Sequence, residues 1–151
     1  MRALVQRVSE GAVKIKKDNY YQEIKKGLVI LLGVKEDDTE SDAIFLADKC
    51  TNLRIFEDGN QKMNISVKDI NGDVLIISQF TLYADASKGN RPSFVDAAEP
   101  KKANDLYLKF VQRVKNNLGE EKVKTGIFGE MMEVKIINDG PVTILVESKG
   151  K

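Results

Sequence analysis

The chain has 151 residues, with 24 Lys+Arg against 23 Asp+Glu for a formal net charge of +1, no His, no Trp and a single Cys. The missing His excludes Ser–His and Cys–His relays and any His-containing metal centre. The single Cys excludes an internal disulfide and a multi-cysteine zinc or iron–sulfur site. A near-neutral chain of this length is expected to form one domain, 1–151, with a core of its own in a reducing cytosol, and not to coat nucleic acid by bulk charge.

The opening run, Met1 to Lys17, alternates apolar and polar residues, which predicts a strand with Leu4, Gln6 and Val8 on one side and Val5 and Arg7 on the other. It lacks the continuous apolar stretch of a signal peptide, and no segment approaches the ~18 apolar residues of a membrane-spanning helix. Ser9-Glu10-Gly11 predicts a bend or bulge before Val13 and Ile15 resume. Lys17-Asp18-Asn19 reads as a turn into a second strand, Tyr20 to Ile24. Leu28 to Val34 is apolar except at Gly33, the pattern of a strand buried on both faces.

A first helix is expected after Thr39 or Ser41 as cap, with Asp42 in its opening turn and Ala43, Ile44, Ala47, Cys50 and Leu53 facing inward. Glu57 to Asn71 reads as loop-rich, and Asn71-Gly72-Asp73 as a turn into an apolar strand, Val74 to Ser78. Pro100 opens a second helix from a first-turn position, where its missing N–H costs nothing. Its inward stripe is Ala103, Leu106, Tyr107, Phe110, Val111, Val114 and Leu118, and Gly119 ends it. Met132, Val134 and Ile136 then alternate with Glu133, Lys135 and Ile137, and Val142 to Val146 forms a last strand beyond a turn at Asn138-Asp139-Gly140-Pro141. Strands outnumber helices, so the fold class is α/β: mixed, β-rich sheet with two main helices packed on it.

Three segments carry candidate chemistry. Ser78-Gln79-Phe80-Thr81-Leu82 follows an apolar strand directly and supplies two hydroxyls, an amide and successive backbone N–H groups, which suit a carbonyl oxygen or an oxyanion. The same run also suits a plain strand end with outward polar residues. Asn138-Asp139-Gly140-Pro141-Val142-Thr143 is strong turn chemistry. Lys88-Gly89-Asn90-Arg91-Pro92-Ser93-Phe94, with Lys101 and Lys102, offers a basic rim for phosphate. Lys14, Lys16 and Lys17, like Lys25 and Lys26, read as solvated strand edges. Cys50 reads as a small buried residue, and the carboxylates of Glu36-Asp37-Asp38 and Glu120-Glu121 as surface charge without metal or glycosidase spacing.

Taken in order, the opening Met-Arg-Ala-Leu-Val-Gln-Arg-Val, Ser78-Gln79-Phe80-Thr81-Leu82, Gly89 to Phe94, Thr125 to Gly129 and Asn138 to Thr143 resemble the D-aminoacyl-tRNA deacylase family over the whole chain. The resemblance implies a single-domain, barrel-like fold. It also implies a cytoplasmic homodimer, without metal or other cofactor, that hydrolyses the ester between a D-amino acid and the 3′-terminal adenosine of tRNA, and clears mischarged glycine. It places Ser78, Gln79, Phe80 and Thr81 in the catalytic pocket, Phe128 and Met132 in its walls, and Ala103 against the terminal adenine. It implies a cis Gly140–Pro141 peptide reaching into the partner subunit's site, where its carbonyls hold the substrate amino group and its backbone rejects an L side chain.

The chemistry is compatible with a His-free site. An aminoacyl ester is already activated, so positioning and oxyanion stabilisation by a backbone N–H such as that of Phe80 can suffice, with the ribose 2′-hydroxyl helping to activate water. Thr81 as a covalent nucleophile would need a base, which favours a hydrogen-bonding role for it. Two other readings stand beside this one: a non-catalytic tRNA- or RNA-binding module using the Lys88/Arg91/Lys101/Lys102 rim, and a Thr-dependent hydrolase of small esters.

Overall fold

In the computed structural model, which describes residues 1–149, the N-terminal alternation becomes one 14-residue strand, β1 (Arg2–Ile15). Ala3, Val5 and Arg7 are buried on one face. The expected irregularity around Ser9 is a bulge within the strand: its register against the C-terminal strand shifts between Gln6 and Val8 and again between Val8 and Glu10. The shift changes which side chains face inward, so Val8 and Val13 join a second apolar cluster. β2 (Tyr20–Ile24) and β3 (Gly27–Gly33) pair antiparallel with successive lengths of β1.

The first helix, α1 (Glu40–Asn52), starts at Thr39, whose N–H donates to the Asp42 carboxylate at 2.8 Å. Its buried apolar residues are Ala43, Leu46, Ala47 and Cys50. Leu46 replaces Ile44 of the expected stripe, because it stands three residues after Ala43 and four before Cys50, on the same face. Ile44 is half-buried, and Leu53 lies past the helix end. The loop-rich stretch holds a short ribbon of β4 (Phe56–Glu57) and β5 (Met63–Ile65). β6 (Asp73–Ser78) follows the turn at Asn71, which takes a positive φ of 55°.

The second helix, α2 (Pro100–Leu118), follows the expected stripe closely: Ala103, Leu106, Tyr107, Phe110, Val111 and Val114 are buried, Leu118 is half-buried, and Gly119 ends the helix at φ +108°. The helices are tied by Asp48, whose carboxylate accepts Arg113 Nε at 2.7 Å and Asn117 Nδ2 at 2.9 Å. Burial pushes the Cys50 thiol up to about 12, so it stays a neutral core group. β7 (Val123–Thr125) runs parallel to β6, and β6 parallel to β3.

The C-terminal segment departs from the expectation of two strands around a turn. It is one 15-residue strand, β8 (Glu133–Glu147), and both halves pair antiparallel with β1. Asn138 to Thr143 loop out: Val8 faces Asn138 and Gln6 faces Thr143, so the chain makes an excursion without reversing. Asn138 closes its base, accepting the Val142 N–H at 3.0 Å and donating to Thr143 Oγ1 at 3.0 Å.

The sheet runs β2-β1-β3-β6-β7 with β8 on the other edge of β1. The Tyr20 hydroxyl donates to the Thr125 carbonyl at 2.7 Å, linking β2 to β7 and nearly closing the sheet into a barrel. Val13, Ile24, Val29, Leu75 and Ile77 fill its inside. Leu28, Ile30, Leu32, Val74 and Ile76 point the other way, into a core shared with both helices. This is why β3 is apolar on both faces. Among the described residues, no helix is long and apolar enough to cross a membrane.

Candidate active site

β6 ends at Ser78 beside the C-terminal end of β3, and the Gln79 N–H extends that pairing by donating to the Leu32 carbonyl at 2.8 Å. A 3-10 helical turn, Phe80–Tyr83, follows at once. The first N–H groups of such a turn have no acceptor within it, which leaves those of Phe80 and Thr81 without a backbone partner in the turn. Gly33 makes the close packing possible: a Cβ there would lie 3.0 Å from the Leu82 Cβ and 3.2 Å from the Gln79 carbonyl oxygen. Arg2 holds the turn's far end, donating to the Leu82 carbonyl at 2.8 Å with its guanidinium 4.6 Å from the Tyr83 ring centre.

A cavity of about 640 Å³ opens beside this turn. Ser78, Gln79 and Phe80 form one side of it, Phe94 and Ala103 another, and Phe128 to Met132 the third. The walls are mostly apolar. Phe80, 56% exposed, stands edge-on to Phe94 with ring centres 5.2 Å apart. Phe128 leans on Tyr107 at 6.1 Å, and the Tyr107 hydroxyl donates to the Ile76 carbonyl at 2.9 Å. Burial raises the Tyr107 phenol well above its ordinary range, so it stays a neutral donor. Met132 lies over Gly126, where a Cβ would meet its sulfur, so glycine there lets the methionine sit back against the strand end.

Of the residues singled out from the sequence, Ser78, Gln79, Phe80, Ala103, Phe128 and Met132 come together around this cavity. Thr81 is not part of its lining; it is exposed, and its hydroxyl accepts the Gln79 side-chain amide. Gly140 and Pro141 are also outside it. Their peptide is cis, Gly140 has φ +136°, and both are exposed at the tip of the β8 excursion.

Arg7, which sequence reasoning did not single out, anchors the β8 excursion. It is 8% exposed, and it donates from Nε to the Asp139 carbonyl at 3.0 Å and from Nη1 to the Ile55 carbonyl at 2.8 Å. A Cβ on Gly140 would lie 3.1 Å from Arg7 Nη2, so the excursion packs directly on the guanidinium. The available signal was an arginine at an inward strand position next to Ala3 and Val5, since a charge on a core face needs dedicated acceptors. Phe94 and Met131, also unassigned from sequence, line the cavity.

A family profile described as D-Tyr-tRNA(Tyr) deacylase matches residues 4–147. The D-aminoacyl-tRNA deacylase of Macrococcus caseolyticus is 56% identical over 149 residues, 99% of this chain and 97% of that protein. That of Flavobacterium psychrophilum is 50% identical over 151 residues, 100% of this chain and 99% of its own. A solved structure titled c-Myc DNA Unwinding Element Binding Protein superposes with a TM-score of 0.93 at 38% identity, covering 99% of this chain and 100% of that one. The fold and these matches define a hydrolase built on a mixed, nearly closed sheet. The chain belongs to the D-aminoacyl-tRNA deacylase family.

Proposed function

We propose that the chain hydrolyses the ester joining a D-amino acid to the 3′-terminal adenosine of tRNA, acting in the cytoplasm as a homodimer. The observation that carries this reading is the cavity lined together by the end of β6, Phe128 and Met132, at the start of the 3-10 turn, whose first N–H groups have no partner within it. Phe80 N–H stabilises the oxyanion as water adds to the ester carbonyl; the alkoxide then leaves as the 3′-hydroxyl. The neighbouring 2′-hydroxyl helps to activate the water, and the apolar walls hold the adenosine, its base against Ala103. Little more is needed, because the ester is activated and the cavity fixes its orientation.

Gly140 and Pro141 enter the partner protomer's cavity, where their carbonyls take the substrate's amino group and their backbone clashes with an L side chain. Their exposure, and their absence from their own chain's cavity, support this reading. So does the row of Leu31, Leu4 and Leu145 across one sheet face, with Leu145 53% exposed, which a second copy would cover. The same filter admits glycine, which has no side chain to reject. The direct experiment compares D-tyrosyl-, L-tyrosyl- and glycyl-tRNA. Hydrolysis of the D and glycyl esters with the L ester spared is expected; inertness toward all three sinks the reading.

Thr81 serves as a hydrogen-bonding residue. Its hydroxyl accepts from the Gln79 amide, which has no basic lone pair to take a proton, so a Thr nucleophile would lack a partner. Thr81→Ala is therefore expected to keep measurable turnover, within about 10²-fold of the wild type, as suits loss of one positioning contact. Complete loss of turnover in a folded, tRNA-binding variant would instead identify Thr81 as the nucleophile.

A second reading draws on the relative titled a DNA unwinding element binding protein. Binding of nucleic acid with no ester cleavage would favour it.

A further inference from the structure

We propose that the groove lined by Lys14, Lys16 and Lys17 takes the phosphates of the single-stranded nucleotides that precede the substrate's terminal adenosine. The identity of that RNA rests on the deacylase reading above. A second cavity, of about 590 Å³, lies beside the candidate active site, and Gly129, Glu130, Met131 and Met132 line both. A strand leaving the active site across this shared wall enters the second cavity directly. The lysines come from the end of β1 and the turn after it, and all three are exposed while Ile15 between them is buried.

Their charge is available. Among the described residues Lys14 and Lys17 form no ion pair, and Lys16 meets Glu133 only at 3.7 Å, with side chains 74% and 66% exposed. Such a pair is worth at most about 1 kcal/mol, so a phosphate can displace it. Glu130 and Glu133 are the acidic residues of this groove, and they leave an excess of positive charge. Met131, 90% exposed on the shared wall, supplies an apolar surface for an unstacked base. A basic track beside an apolar platform is how proteins grip single strands without reading their sequence.

The rim expected from the sequence is differently disposed. Lys101 pairs with Asp105 at 3.4 Å, and Lys102 donates to the Glu36 carbonyl. Both lysines border a separate hollow that also holds Asp38 and Glu99. That neighbourhood is balanced by acid and makes a poor track for a polyanion. Lys88 and Arg91 remain as the other basic side chains on the Phe94 side.

The test measures binding of uncharged tRNA, and hydrolysis of D-tyrosyl-tRNA, over a range of salt concentrations. The variants are the triple Lys14→Gln/Lys16→Gln/Lys17→Gln, and as comparisons Lys101→Gln/Lys102→Gln and Lys88→Gln/Arg91→Gln. The triple variant is expected to bind tRNA at least about tenfold more weakly, with its log–log salt slope reduced by about 2, as for three phosphate contacts on a single strand. Its KM should rise and its kcat hold, while Lys101→Gln/Lys102→Gln stays near the wild type. An unchanged Kd and salt slope in the triple variant overturns the proposal, and so does an equal loss in all three variants, which would mean bulk charge. Because the substituted lysines are exposed, an unchanged melting temperature is expected and confirms that folding is intact. A wild type that binds tRNA but leaves the D-tyrosyl ester uncleaved would refute the enzymatic reading without touching the groove, which the binding arm still decides.

Discussion

Arg7→Met is expected to destabilise the protein by about 3–5 kcal/mol and to blunt its discrimination between D and L esters. The destabilisation follows from burial. Arg7 is 8% exposed and bonds two backbone carbonyls, of Asp139 and Ile55. Hydrogen bonds from a charged donor are each worth about 1.5–3 kcal/mol, and truncation leaves both acceptors without their partner. In a chain of this size each kcal/mol shifts the melting temperature by about 2–4 °C, so a fall near 10 °C is expected in a thermal melt. The functional part follows from position. Arg7 is the side chain that ties the Asn138–Thr143 excursion down, so without it the Gly140–Pro141 backbone loses its fixed place. Under the proposed filter, a wall that can move discriminates less, so the ratio of D- to L-tyrosyl-tRNA hydrolysis is expected to fall at least about tenfold. Arg7→Lys keeps the charge but cannot reach two carbonyls with one planar fork, and should fall between. A melting temperature and a D/L ratio both equal to wild type would show that the excursion is held by its own Asn138 contacts alone.

Asp38→Ala carries the second large effect, on stability alone. The N-terminal ammonium donates to Asp38 Oδ1 at 2.8 Å, and the side chains of both residues are fully buried. The same carboxylate accepts the Lys35 N–H at 2.6 Å. Removing Asp38 leaves the ammonium with only the neutral Ser148 hydroxyl, 3.0 Å away, and breaking one side of a buried pair costs about 3–5 kcal/mol. Denaturant unfolding should show the midpoint falling at constant slope. Asp38 does not line the candidate active site, so turnover per folded molecule, measured well below the melting transition, should be unchanged. A fall in kcat at full folding would mean that this corner is coupled to the site after all.

What was legible in the sequence was local. The α2 stripe could be read because periodicity, Pro100 at the start and Gly119 at the end all act within a few residues of one another. The two-faced burial of β3 could be read because its composition leaves no polar side. The strand-end run from Ser78 to Phe80 could be read because polarity changes abruptly after an apolar strand. Leu46 was missed for a related reason: in a 13-residue helix with apolar residues at both 44 and 46, the packed face is chosen by what the helix meets.

The excursion at Gly140 shows the boundary most clearly. Asn-Asp-Gly-Pro predicts a turn, and locally the chain does turn. Whether it reverses depends on strand partners, and β1 is long enough to accept both flanking halves in one direction. Pairing of that kind is decided by residues more than a hundred positions apart, so no window of sequence contains it. Arg7 belongs to the same class, since its value lies in two carbonyls supplied by distant segments.

By itself, then, the sequence determined both main helices, most of the strands, the family and the chemical inventory: a His-free set of hydroxyls, amides and backbone groups. Only the tertiary structure decided which of these share a cavity. It left Gly140 and Pro141 outside the cavity that Ser78, Gln79 and Phe80 line, kept Thr81 at its edge on the Gln79 amide, and set Lys14, Lys16 and Lys17 beside Met131. The reason is physical: hydrophobic periodicity acts along the chain, whereas a site is made by register and closure of the sheet, which bring together residues that carry no local mark of one another.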